Sequence, residues 1–376
     1  MNKANYFLTA TAATFLLSSC GNGVSQQIQN TIEVNQSASS LVEWDASPAN
    51  PETVFKKWRK ESDPKSKERL SDQICTKLKS LDGLSLTIFE NEINEEANLS
   101  LVLPCKKSLT AQLERHYAAE RNTLKIRVNA LSEASSGNTF QFPSNTQYRD
   151  VSKGYYARAG DVGPKEIVLT FDDGPNPVYT TSVLRSLKEV NAKAHFFQLG
   201  KSIRLNPDVT KAAAADGHAI GSHSVTHSCL ANTPTCEKLM YKALSPTEAI
   251  AEIKGGHQAA FDTLGWVEPF FRFPYGEVDP GLRSYLNENS VAEFNWNMDS
   301  EDWKAQTNEQ LLKNTLDLVE KKGRGILLMH DIHRRTAEVL PQLLAELYNR
   351  GYSIVLLQPS DATARYNSKL VKKPLP

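Results

Sequence analysis

Two textures of hydrophobic patterning divide the chain. From about Asp161 onward, short apolar stretches with strand character ("EIVLTF", "AHFFQLG", "HAIGSHS", "PFFRFPYG", "SVAEFNWNMD", "GILLMHD", "SIVLL") alternate with helical ones. The latter, from "TTSVLRSLKEVN" to "AEVLPQLLAELYNRG", repeat their apolar residues at helical spacing. Strands alternating with helices over about two hundred residues predict a parallel α/β sheet or barrel, placed at 161–360 with a tail at 361–376. Ser245-Pro246-Thr247-Glu248 has the spacing of a capping box and marks one helix start. Residues 51–130 read differently: helical "VFKKWRKE", strand-like "LSLTIFENEI" and "LSLVLPC", then helical "LTAQLERHYAAERNTL", which together predict a small α+β domain. A stretch rich in Ser, Asn and Gly makes 131–160 a linker or an extended wrapping segment.

At the N-terminus, Lys3 precedes an apolar run from Tyr6 to Leu17 that is too short to span a bilayer but suits a signal-peptide core. The run ends in Leu17-Ser18-Ser19-Cys20, which resembles the lipobox of bacterial lipoproteins. That resemblance implies removal of residues 1–19, lipid modification of Cys20, a polar tether over 20–50, and an envelope location, at the outer membrane in a diderm cell. The membrane would then be reached through the lipid anchor alone. In such an oxidising space the four remaining cysteines favour disulfides, Cys229 with Cys236 across a short loop and Cys75 with Cys105.

Charge adds an exclusion. Lysine plus arginine equals aspartate plus glutamate, 43 against 43, so no global field recruits nucleic acid. The basic cluster of Lys56, Lys57, Arg59 and Lys60 is interleaved with acids and reads as a solvated helix face.

Functional groups of parallel α/β folds gather past the C-terminal ends of the strands. Here those ends deliver Asp172 and Asp173, then His223 and His227, Arg272 and Tyr275, Asp299, Asp302 and Trp303, and finally His330 and Asp331. Two histidines four apart in "HSVTH" suit a shared metal, whereas "DDG" by itself is common turn chemistry.

Five separated motifs, "TFDDGP", "HSVTH", "RFPYG", "DSEDW" and "LLMHD", stand in the order of the polysaccharide deacetylases, carbohydrate esterase family 4 with its NodB-like domain, and the chain resembles that family from about Asp161 to Gln358. The resemblance implies a distorted (β/α)7 barrel and hydrolysis of N-acetyl groups on a polysaccharide. Amide hydrolysis needs a nucleophile, an oxyanion stabiliser and a proton for a poor leaving amine. By resemblance, Asp173, His223 and His227 hold a divalent metal, zinc or alternatively cobalt, which supplies the first two. Asp172 is then the base, Arg272 orients it, and the backbone N–H of Tyr275 helps hold the oxyanion. His330 is the acid, kept protonated by Asp302, while Trp303 and Leu328 line the acetyl pocket. Asp299 and Asp331 shape turns, and His195, His218, His257 and His333 are structural or surface residues, His333 with the least support.

Peptidoglycan is the expected polymer, because an envelope-anchored enzyme meets it first; chitin oligomers, poly-N-acetylglucosamine and acetylated xylan are alternatives. The protein is expected to act as a monomer. Ser222 and His195 depart from the family's usual residues without touching the chemistry, and Ser228–Ala243 reads as an insertion beside the metal loop. Two rivals fare worse. A non-catalytic glycan-binding module would be expected to lack a ligand, the base or the acid, and a non-haem iron oxygenase, which also uses two His and a carboxylate, commonly sits on an all-β fold.

Overall fold

The computed structural model describes residues 51–95, 103–134, 140–238 and 244–373. The expected signal segment, the expected lipidation site Cys20 and the expected tether lie outside them. Among the described residues no helix is long and apolar enough to cross a membrane.

The expectation of an α+β upstream domain is corrected: the described part of 51–134 is helical, with helices Pro51–Lys60, Pro64–Lys79, Gly83–Leu86, Glu90–Glu95 and Lys106–Ala134. The strand-like "LSLTIFENEI" coils because Asp82 accepts from the Ser85 N–H at 2.6 Å, a helix start, and because Leu86, Phe89 and Ile93 recur at three and four residues. That face buries against Phe55, Trp58 and Leu113 in a core of the domain's own. "LSLVLPC" lies outside the described residues except for Leu103–Cys105, which turn into the last helix. This helix runs past the expected boundary at 130, and the Cys75–Cys105 disulfide ties its start to Pro64–Lys79. Lys57, Arg59 and Lys60 are exposed, as a solvated face requires.

Downstream, the strands are β1 (Thr146–Arg149), β2 (Tyr156–Ala157), β3 (Glu166–Asp172), β4 (His195–Gln198), β5 (Ala219–Ser222), β6 (Phe270–Phe271), β7 (Ala292–Phe294), β8 (Met298–Asp299), β9 (Gly325–His330), β10 (Ser353–Ile354) and β11 (Leu356–Pro359). The main sheet has the order β2-β7-β6-β5-β4-β3-β9-β8, with β10 added to β3, and every pairing is parallel. All seven expected stretches carry strands, "SVAEFNWNMD" giving two short ones, β7 and β8, and "SIVLL" giving β10 and the start of β11. Chain length forces the curl. β7 and β8 lie six strand spacings apart along the sheet, about 29 Å if it were flat, yet only residues 295–297 join them and can span no more than about 14 Å. The sheet therefore wraps round until its ends approach, and the barrel stays open there.

β3 is its axis of burial: Ile167, Val168, Leu169 and Phe171 are fully buried, each contributing about 1.5–3 kcal/mol. The capping box at Ser245 is formed, with Ser245 and Glu248 exchanging bonds at 2.8 and 3.4 Å. The 140–160 stretch wraps the barrel: Phe142 is buried in the core and β1 pairs with β11. The tail packs too, since Leu370 is buried and the Lys372 N–H donates to Gln258 at 2.7 Å.

Candidate active site

Two neighbouring carboxylates end β3, and the backbone sends them different ways. Strand periodicity puts Thr170 and Asp172 on one face, where Arg272 Nη1 donates to Thr170 Oγ1 at 2.8 Å and to Asp172 Oδ1 at 2.7 Å. Arg272 is fully buried. Burial pushes its guanidinium down, and the Asp172 charge opposes that. Its remaining N–H groups reach the Asn295 and Phe294 carbonyls, and its plane lies 4.4 Å over the Phe197 ring. A buried cation so fully bonded holds its partner rigidly, and removing either member of such a pair costs about 3–5 kcal/mol. Asp173 adopts φ +74°, left-handed geometry that Asp tolerates, so its side chain leaves the strand direction. Gly174 follows because a Cβ there would sit 2.3 Å from the Asp331 carboxylate.

The histidine pair is brought together by a bent loop rather than a helix, with Ser224 and His227 both at positive φ. His223, buried directly after β5, places Nδ1 2.7 Å from the Arg272 carbonyl, which fixes that nitrogen as donor and turns the Nε2 lone pair inward. Burial pushes His223 down to about 4 and also lowers His227, so both rings are neutral near pH 7. The His227 loop is clamped by Glu252, whose Oε2 accepts from the Val225 and Thr226 N–H groups at 2.9 and 2.8 Å. Tyr275, at φ +62°, donates its hydroxyl to the His227 carbonyl at 3.2 Å and packs its ring 4.5 Å from that imidazole.

Asp173 Oδ1 tests whether a cation fits. It is buried with no hydrogen-bond partner, 3.4 Å from His227 Nε2 and 3.6 Å from His223 Nε2. One ligand atom from each of the three residues lies within 4.8 Å of the others. Burial pushes the Asp173 carboxyl up, but the charges that His227, His330 and His223 carry when protonated outweigh this and hold it below the usual range. An orphaned carboxylate oxygen facing two imidazole lone pairs is a donor set suited to a divalent metal with open positions.

Across the β3–β9 ladder, Asp172 and His330 are register partners, so base and acid candidates stand side by side on adjacent strands. The fully buried Asp302 carboxylate takes both His330 N–H groups on that side, Nδ1 to Oδ1 and backbone to Oδ2, each at 2.7 Å. Burial would push the imidazole down, yet Asp302, aided by Asp173 and Asp172, holds it up at about 10. Burial likewise pushes Asp302 up, and the His330 charge with the bonds from His330 and Thr336 pulls it below the ordinary carboxylate value.

A polysaccharide deacetylase family model matches residues 159–293. A solved peptidoglycan deacetylase of Bdellovibrio bacteriovorus is 48% identical, covering 94% of this chain and 100% of that one, with a TM-score of 0.74. The peptidoglycan-N-acetylglucosamine deacetylase of Bacillus cereus is 30% identical over 59% of this chain and 80% of its own length. The chain belongs to the polysaccharide deacetylase family. A peptidoglycan-N-acetylglucosamine deacetylase of Listeria monocytogenes is 35% identical over 62% of this chain, and the chain spans 45% of that relative's length.

In this polysaccharide deacetylase fold, Leu328 is buried two residues before His330 and so on the same face of β9, while Trp303 stands 46% exposed at the rim beneath the Lys304 ammonium. Asp299 accepts from the Glu301 N–H at 2.8 Å, a turn bond, whereas Asp331 accepts from Thr180 Oγ1 at 2.6 Å, a tie between segments 151 residues apart in sequence. His195, His218 and His257 bond to backbone at 3.0, 3.1 and 3.1 Å, as structural residues do. His333 differs: its ring lies 5.7 Å from His330, beside the site. The Cys229–Cys236 bridge is formed, two residues past His227. Sequence reasoning missed Glu252 and Thr336, whose Oγ1 donates to Asp302 at 2.5 Å. Each is an ordinary polar position on a helix, without a motif to single it out.

Proposed function

We propose that the protein is a divalent-metal-dependent hydrolase that removes the N-acetyl group from N-acetylglucosamine residues of peptidoglycan and releases acetate. The observation that carries this is the pairing of Asp172, held by Arg272, with His330, held by Asp302, as register neighbours beside the unpartnered Asp173 oxygen and two imidazoles. The names of the relatives support peptidoglycan as the polymer.

Asp173, His223 and His227 would hold the cation, zinc or alternatively cobalt. When bound, it supplies an acidified water and polarises the acetyl carbonyl. Arg272 occupies Oδ1 of Asp172 and leaves Oδ2 to take the proton of the attacking water. As the new C–O bond forms, the Tyr275 N–H donates to the oxyanion. His330 Nε2 then passes its proton to the sugar nitrogen while the C–N bond breaks, and acetate departs. Trp303 and Leu328 bound the acetyl methyl. Acetate release from peptidoglycan, chitin oligomers and acetylated xylan, with and without chelator, tests this reading. Release from peptidoglycan that chelator abolishes is expected; chelator-resistant release, or release from xylan alone, contradicts it.

Lipidation at Cys20 and attachment to the cell envelope belong to the same reading and rest on "LSSC". Cys20→Ala should free the protein from membranes, and persistent membrane association refutes the anchor.

A further inference from the structure

The helical domain is tied to the barrel at the catalytic acid's side by polar groups that are buried and directional. Glu90, 5% exposed, accepts from Tyr117 of its own domain at 3.0 Å and from Tyr179 of the barrel at 2.6 Å. Tyr179 adjoins Thr180, whose hydroxyl holds Asp331, the neighbour of His330, at 2.6 Å. The second tie is Arg335, 2% exposed: one arm donates to Thr87 of the helical domain at 3.0 Å and the other to the Lys304 carbonyl, next to Trp303, at 3.4 Å. Arg335 also adjoins Thr336, which grips Asp302. An interface needing only adhesion would bury apolar surface, since a buried charge is costly unless bonded in one geometry. Here the Arg335 tie ends at Lys304, beside Trp303, and the Glu90 tie reaches Asp331, beside His330, through Tyr179 and Thr180. A third charged contact, Arg334 to Glu114 at 2.8 Å, is exposed on its Glu114 side.

We propose that the helical domain positions the acid side of the site, with Thr87 and Glu90 as positioning residues that act through Arg335 and Tyr179. The proposal rests on the deacetylase reading only for its kinetic consequence. If the domain were lost or loosened, the turn from His330 to Arg335 would have an extra degree of freedom, and a displacement of the order of 1 Å at a proton donor costs up to about a hundredfold.

Thr87→Val and Tyr179→Phe each delete one hydroxyl at nearly constant shape, and Thr87→Ser restores the first. On the full chain loaded with metal, kcat and KM on chitin oligomers and on peptidoglycan are measured alongside backbone hydrogen exchange over 328–336. Both variants should lower kcat about tenfold with KM and metal content unchanged, exchange in that segment should quicken, and Thr87→Ser should behave as the native chain. Unchanged kcat and exchange with only a lower melting temperature overturn the proposal, leaving an adhesive interface. A defect confined to KM on peptidoglycan also overturns it and makes the domain a glycan binder. If the native chain releases no acetate, the deacetylase reading fails by itself, while exchange still decides whether the domain restrains the acid's turn.

Discussion

Replacing Asp302 by Asn separates the charge of that residue from its shape. In the native site burial favours a neutral imidazole at His330, and the carboxylate at 2.7 Å is the main influence that reverses this, holding the ring up at about 10. An amide oxygen can still accept from the ring but carries no charge, so burial is then opposed only by the charges of Asp173 and Asp172 and the ring's pKa falls. The sign follows: the acid works in its protonated form, present below its pKa, so Asp302→Asn withdraws it from the neutral range. For a ring returned to its ordinary value near 6.5, the protonated fraction at about pH 7.5 falls from near unity to about one tenth, each pKa unit being tenfold. Turnover there should drop about tenfold, inside the 10²–10⁴ that a positioned acid supplies in full. The assay is kcat against pH on chitin oligomers at saturating metal, in both proteins. The variant's alkaline limb should lie below the native one, with turnover recovering as pH falls. A loss equal at every pH, with the limb unmoved, would mean that Asp302 orients His330 without charging it, and the reasoning fails.

Asp172→Asn should abolish acetate release while metal content, read by elemental analysis, stays near native; loss of metal would exchange the roles of the two aspartates. Glu252→Ala removes the acceptor of two backbone N–H groups in the His227 loop and should weaken metal affinity about tenfold, with Glu252→Gln largely restoring it; equal affinity in all three proteins rules out the clamp. Gly174→Ala places a Cβ where the Asp331 carboxylate now sits, breaks its bond from Thr180, and should destabilise the fold by about 1–3 kcal/mol in denaturant titration; an unchanged midpoint would show that the turn yields freely.

Much of the site follows from local pattern. A strand end is marked where an apolar run stops, and in a parallel fold that is where side chains meet, so Asp172, Asp173, His223, His227 and His330 could be picked out before any coordinates. The capping box at Ser245 and both disulfides are legible for similar reasons, being set by spacing within a few residues or by the parity of the cysteines. The upstream domain was misread because a short apolar run fits either period. "LSLTIFENEI" opens with strand-like alternation, and the Asp82 cap together with packing of Leu86, Phe89 and Ile93 against Phe55 and Trp58 selects the helix.

By itself, then, the sequence marks the candidate residues and the order along the chain in which the strand ends present them. Tertiary structure decides the directions of the two adjacent carboxylates, through a positive φ at Asp173 and a buried guanidinium 100 residues from Asp172 in sequence. It also decides the ties between the helical domain and the acid's turn, which join residues 89 and 248 positions apart. Contacts at such separations depend on how the whole sheet curls, and no local period encodes that.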